Sequence, residues 1–359
     1  NKVGDLAPAD KPITLPAPQT NEGWSQPGGT SGNSPGHLQL GATLKMSWSA
    51  SIGSGSGKRN KLIASPIVYG GAVYTLDAED NVSAHSLSGG SRLWAVSTRP
   101  EGRQDREGYG GGVAADNGRI YASTGYGTVV GLDAKTGKKL WEKSLGTPIR
   151  TAPTAVNDKV FVRTSEGRLF CLAGADGNEV WALRGLPEET SMLTGVSPAV
   201  EGDLVVVPYS TGELVTVSIS KGQLVWTESL GRQRASSSLA SLSDLGRPVI
   251  DSGQVFASSH AGRTVAASLA TGERQWTVNL ASIQQPVVSG ANVFAVDVSG
   301  MLMAISRTDG KTLWTTKLAG GKTWSGPILG GGKLWLVSDT GKLVGVDAVT
   351  GKVAQTADL

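Results

Sequence analysis

The sequence predicts an all-β fold, a β-propeller of four-stranded antiparallel blades. Three observations predict it. A short turn ending in glycine is followed four residues later by tryptophan, and the pair recurs as Gly90/Trp94, Gly137/Trp141, Gly177/Trp181, Gly222/Trp226, Gly272/Trp276 and Gly310/Trp314, with Gly351/Gln355 as a seventh copy. Successive glycines lie 38 to 50 residues apart, the length of one propeller blade. Each interval reads as four β-rich runs separated by turn residues.

The chain divides into an arm, residues 1–40, and one propeller domain, residues 41–359. Pro8, Pro12, Pro16, Pro18, Pro27 and Pro35 punctuate the arm, which has few β-branched residues. It is expected to be an extended tether, partly ordered at best, with residues 1–20 poorly ordered and Trp24 as an anchor on the ring. LKMSWSASIGSG (44–55) reads as a fourth strand without its blade, because Trp48 is followed by SASIG as Trp141 is followed by EKSLG.

Seven complete repeats follow, at about 62–98, 109–145, 150–184, 196–230, 246–280, 284–318 and 324–359. The third is the type copy. TAPTAV and KVFVRT are strands joined by the turn pair Asn157-Asp158. Ser165-Glu166-Gly167 turns the chain into RLFCLAG, and Ala175-Asp176-Gly177 turns it into NEVWALR. The last glycine supplies a positive φ that a Cβ would resist. The outer-strand tryptophan is expected to pack toward a neighbouring blade while its N–H finds a carbonyl. Blades bury their faces only against other blades, so the repeats must form a ring. Seven repeats plus the orphan Trp48 strand leave that ring imperfectly closed unless roughly 30 residues, three strands, follow Leu359.

Composition excludes several classes. A net charge of +3, from 33 basic and 30 acidic residues, gives no basic footprint for nucleic acid. The single cysteine, Cys171, lies in a strand and reads as a buried inert thiol. No run of apolar residues is long enough for a spanning helix. His37, His85 and His260 have no metal-ligand spacing. No serine lies in G-x-S-x-G. GSGSGKRNK (53–61) fails the phosphate-loop spacing, since Ile52 stands where the first glycine belongs. The acidic run Asp77 to Asn81 lacks calcium-loop spacing and reads as a solvated hairpin turn. No catalytic, cofactor or metal site emerges. Connections longer than the fold needs occur at 99–108, 185–195 and 231–246, and such loops are where function concentrates.

The repeat form xLDxxTGxxxW resembles that of quinoprotein-type propellers. SIGSGSG after Trp48, SMLTG (191–195), LSDLGRPVI (242–250) and GKVAQ (351–355) narrow the resemblance to the BamB family, lipoprotein subunits of the outer-membrane β-barrel assembly machinery of Gram-negative bacteria. It covers about residues 44–359. The resemblance implies eight blades, a non-enzymatic scaffold and no cofactor. It implies a periplasmic location, anchored to the outer membrane through a lipid on an N-terminal cysteine that is not in this sequence. It implies contact with the periplasmic POTRA domains of a central BamA-like subunit, and nascent outer-membrane proteins as clients. The partner-binding residues it points to are Met192, Leu193, Thr194, Leu242, Asp244 and Arg247. Thr194 stands where the family has arginine, and Gly246 where it has a second acid. The alternative is a dehydrogenase using pyrroloquinoline quinone and calcium. That family is longer and carries a vicinal cysteine pair, which one cysteine cannot supply.

Overall fold

The computed structural model describes residues 13–57, 61–103, 108–184, 196–209, 211–230, 245–260 and 262–359. Among them there is no helix, and seven four-stranded antiparallel sheets form the blades. In chain order they are β1–β4 (67–97), β5–β8 (111–144), β9–β12 (154–184), β13–β16 (199–229), β17–β20 (249–278), β21–β24 (287–317) and β25–β28 (324–358).

Blade 3 shows why these residues make this unit. β9 (Thr154–Val156) turns into β10 (Lys159–Arg163) through Asn157 and Asp158, whose φ values of 52° and 59° suit the tight hairpin that matches strand twist. Phe161 faces Thr154 on one side and Cys171 of β11 (Arg168–Ala173) on the other. β12 (Glu179–Arg184) completes the sheet, with Trp181 opposite Cys171. The register slips once, between Cys171 and Leu172, and the same slip recurs in the third and fourth strands of all seven blades. A bulge there sharpens the local twist and sets the outer tryptophan.

The glycine–tryptophan repeat is a contact between blades. The indole N–H groups of Trp94, Trp141, Trp181, Trp226, Trp276 and Trp314 donate to carbonyls of the following blade at 2.7–3.1 Å. Each ring lies on that blade's turn glycine. Gly177, at φ 73°, is typical: a Cβ there would sit 2.4 Å from the Trp141 ring. Glycine is therefore required twice over, for its φ and for the space. Trp48 makes the same contact with blade 1, donating to the Leu87 carbonyl at 2.9 Å and covering Gly90. The expected strand at 44–55 does not form, because no sheet is there to pair with it, but Trp48 alone takes the position of a preceding blade's outer tryptophan.

Apolar packing is divided among the blade junctions. Six clusters of buried side chains occupy the junctions from blade 1|2 through blade 6|7. Tyr74, Tyr121, Phe161, Phe256 and Phe294 hold equivalent second-strand positions, each tilted against its own blade's tryptophan with ring centroids 5.8–6.2 Å apart. Cys171 is buried in the blade 3|4 cluster, and burial pushes its thiol up to about 12, consistent with an inert packing role. The acidic turn is not solvated. Asp77 and Asp80 are buried, and Asp77 accepts backbone N–H groups from Ser54, Glu79 and Asn81, because residues 53–54 pack over the turn.

The arm departs furthest from expectation. Residues 1–12 lie outside the described residues, but from Ile13 the chain lies across one end of the ring and touches every blade. Trp24 pairs both ways with Val68, Ser25 accepts from Ala115, and the Gln26 amide exchanges two hydrogen bonds with the Ala155 backbone. Ser31 and Gly32 accept from Val200 and Ile250. Thr14 accepts from Asn292 of blade 6, and Leu38 bonds Leu329 and Gly331 of blade 7. His37 bonds Pro16 O through Nδ1 and accepts the Gly332 N–H at Nε2, which places the ring hydrogen on Nδ1. The cause is the innermost strands: their inner edges carry N–H and C=O groups that no neighbouring strand pairs. An extended proline-rich segment has free backbone groups of its own to satisfy them. Trp24 does anchor the arm, as expected.

Candidate functional site

The strand directions define two rims. Each innermost strand runs from an interblade connection to a tight hairpin. The arm meets these strands near their hairpin ends, at Val68, Ala115, Ala155, Val200, Ile250 and Leu329. The interblade connections therefore emerge on the opposite rim. Met192, Leu193, Thr194, Leu242 and Asp244 fall outside the described residues. The strand ends that flank them, Arg184 and Ala199, then Ser229 and Val249, belong to adjacent blade junctions on that rim.

Arg247 is the one expected partner-binding residue that is described. It precedes β17 (Val249–Asp251) and lines a cavity of about 450 Å³ in the centre of the ring. Its Nη1 donates to Gln285 Oε1 at 3.0 Å, and its buried Nε has no hydrogen-bond partner. Burial alone pushes the guanidinium down to about 10. Gln285 is oriented by the arm, since its Nε2 donates to the carbonyls of Gly28 and Asn33 at 3.1 and 2.7 Å. Trp24, Pro27 and Pro35 of the arm floor the cavity, which extends beside Trp335, Val337 and Leu343 on the free face of blade 7. Sequence reasoning missed Gln26, Gln285 and Trp335. Only Trp335 left a signal, as an aromatic residue at the second-strand position of its repeat.

No group of three His, Cys, Asp or Glu side chains able to hold a metal occurs among the described residues. The connecting rim carries arginine–tyrosine stacks: Arg150 over Tyr109 at 4.5 Å and Arg163 over Tyr209 at 5.5 Å.

A family profile described as outer membrane protein assembly factor BamB matches residues 78–316 and 300–359. The chain belongs to the BamB family. BamB of Nitrosomonas eutropha is 23% identical over 218 residues, 60% of this chain and 51% of that protein. The chain spans about half the length of the curated relatives it matches. Among solved structures, BamB from Moraxella catarrhalis superposes with a TM-score of 0.71 at 22% identity, covering 86% of this chain and 92% of that one. A europium-containing methanol dehydrogenase superposes at 0.73 with 17% identity, covering 95% and 86%. These likenesses are of fold: BamB and quinoprotein dehydrogenases share the propeller.

Proposed function

We propose that this chain is a non-enzymatic scaffold of the outer-membrane protein assembly machinery, acting in the periplasm at the outer membrane and binding a central BamA-like subunit. The family match across residues 78–359 carries the reading. The binding surface is the rim away from the arm, where the connections bearing Met192, Leu193 and Thr194, and Leu242 and Asp244, join adjacent blades. Met192, Leu193 and Leu242 supply apolar anchors and Asp244 a charged edge, the composition of a protein-binding patch. Arg247, the described member of the set, lines the channel. Nascent outer-membrane proteins are the clients of the assembled machinery.

The test is a titration of Leu193→Ala and Asp244→Ala against the periplasmic domains of the BamA-like subunit. Leu193→Ala should weaken binding by about 2 kcal/mol with an unchanged melting curve. Wild-type affinity in both variants would remove the patch from consideration.

The superposition on methanol dehydrogenase supports a second reading, a dehydrogenase using pyrroloquinoline quinone. The central residues fit that group poorly. The cofactor carries three carboxylates and works with a metal ion. Among the described residues the cavity offers one guanidinium, and no metal-holding group of side chains. Titration with the quinone and calcium, followed by absorbance, separates the readings: a saturable quinone spectrum would favour the enzyme.

A further inference from the structure

We propose that the central cavity is a binding site for a small apolar carboxylate, with Arg247 as its anion anchor. The cavity, at about 450 Å³, is within the size range of small-molecule sites. Its walls are mainly apolar: Trp24, Pro27 and Pro35 from the arm, Val287 from β21 (Val287–Ser289), and Trp335 and Val337 from blade 7. Among the described residues one cation, Arg247, enters it. Arg247 is half-buried with its Nε enclosed, and a guanidinium drawn partly out of water without a counter-charge gains from an anion that meets it.

Among the described residues Arg247 has no such partner. Within the described residues its Nη1 donates to the neutral amide of Gln285, and its Nε meets no acceptor. The arrangement is held from outside the site. The arm carbonyls at Gly28 and Asn33 fix the Gln285 amide, and the amide oxygen fixes Arg247. A preorganised cation of this kind makes charge-assisted hydrogen bonds at little ordering cost. The apolar walls then decide which anion is held. A hydrated inorganic ion would leave them uncovered, whereas an aromatic or branched aliphatic acid covers them while its carboxylate meets Arg247. This site is independent of the rim patch, and its test involves no partner protein.

The probe is 3-phenylpropionate, with the isosteric neutral 3-phenylpropanamide as control. Binding is followed by isothermal titration, saturation-transfer NMR and thermal melting. The acid should bind saturably and raise the melting temperature, with the amide at least tenfold weaker. Arg247→Gln should reduce affinity for the acid at least tenfold and leave the amide unchanged. Its melting temperature without ligand should equal or exceed that of the wild type, because the variant buries no charge. Equal binding of acid and amide, no binding of either, or undiminished affinity in Arg247→Gln would overturn the assignment. Inorganic phosphate competing as strongly as the acid would overturn the organic anion. Should Arg247→Gln fail to fold, the comparison of acid with amide on the wild-type protein decides alone.

Discussion

The junction between blades 3 and 4 and the space between blades 7 and 1 are lined by equivalent positions. In the first, Phe161 is 0% exposed and packed among Leu169, Cys171, Val205 and Val207. In the second, Trp335 takes the place of Phe161, with Val337 and Leu343 beside it. These three are only partly covered, and Ile328 is 41% exposed. Gln355 stands there in place of the outer tryptophan. From blade 1 to blade 7 each innermost strand adjoins the next, whereas blades 7 and 1 are bridged by the arm, through Leu38 on one side and Trp24 on the other. Trp48 then closes onto blade 1 as an outer tryptophan would. A blade face gains its stabilisation from what covers it, and backbone pairing by a single extended segment can hold a ring where side-chain packing does not.

The comparison can be broken most directly at its aromatic pair. Phe161→Ala opens a cavity in a sealed junction and should cost about 3–5 kcal/mol in denaturant unfolding. Trp335→Ala removes a larger ring from a half-open face and should cost less than half as much. Equal losses would mean that the blade 7 face is as tightly covered as the others.

The glycine contacts sharpen the same point. Gly177 and Gly118 have nearly the same φ, 73° and 75°, but a Cβ at Gly118 meets nothing within 4 Å. Gly118→Ala should cost about 1 kcal/mol, the left-handed conformation alone. Gly177→Ala must also displace Trp141 and should cost about 3 kcal/mol. Chemical denaturation measures both, and similar values would separate the glycine requirement from the interblade contact.

Asp80 lies where residues 53–54 fold over blade 1. Burial, against the attraction of Arg99, raises its carboxyl to about 7. The folded protein therefore holds a proton that the unfolded chain gives up near 3.8. Its contribution is fully present below that lower value and is lost as the pH rises through about 7. Asp80→Asn should flatten the dependence of stability on pH across this window and gain about 2 kcal/mol at its upper end. A variant with the wild-type pH profile would contradict the assignment.

The smallest effects concern indole N–H groups. Trp141→Phe leaves the buried Gly174 carbonyl without its donor and should cost about 1–2 kcal/mol. Trp48→Phe releases an exposed carbonyl to water and should cost about 0.5 kcal/mol. Thermal melts of the two variants, compared with wild type, read the difference.

Much of the ring was legible because its signals are local. Turn glycines, alternating strands and outer tryptophans each act within a few residues, so Gly177 and Trp181 marked a blade in the sequence. What they touch was not legible: Gly177 meets Trp141, and Trp181 reaches Ile219, because the contact lies across a junction set by ring geometry. Of the site residues that the resemblance named, only Arg247 is among those described. Its bond to Gln285 and its place in the channel were not legible, because Gln285 lies 38 residues away in the sequence.

Residue pattern alone was enough for the repeat unit and the seven blades, since both follow from propensity, turn chemistry and period, whereas the strand it suggested around Trp48 did not form. Tertiary structure alone decided the fate of the arm and the character of the channel. The arm bonds a different strand at almost every step, Val68, Ala115, Ala155, Val200 and Ile250 in turn. No single ladder imposes a period on it, so it carries no alternating pattern to read. Its order comes from unpaired backbone groups on six inner strands, which come together only once the ring has formed.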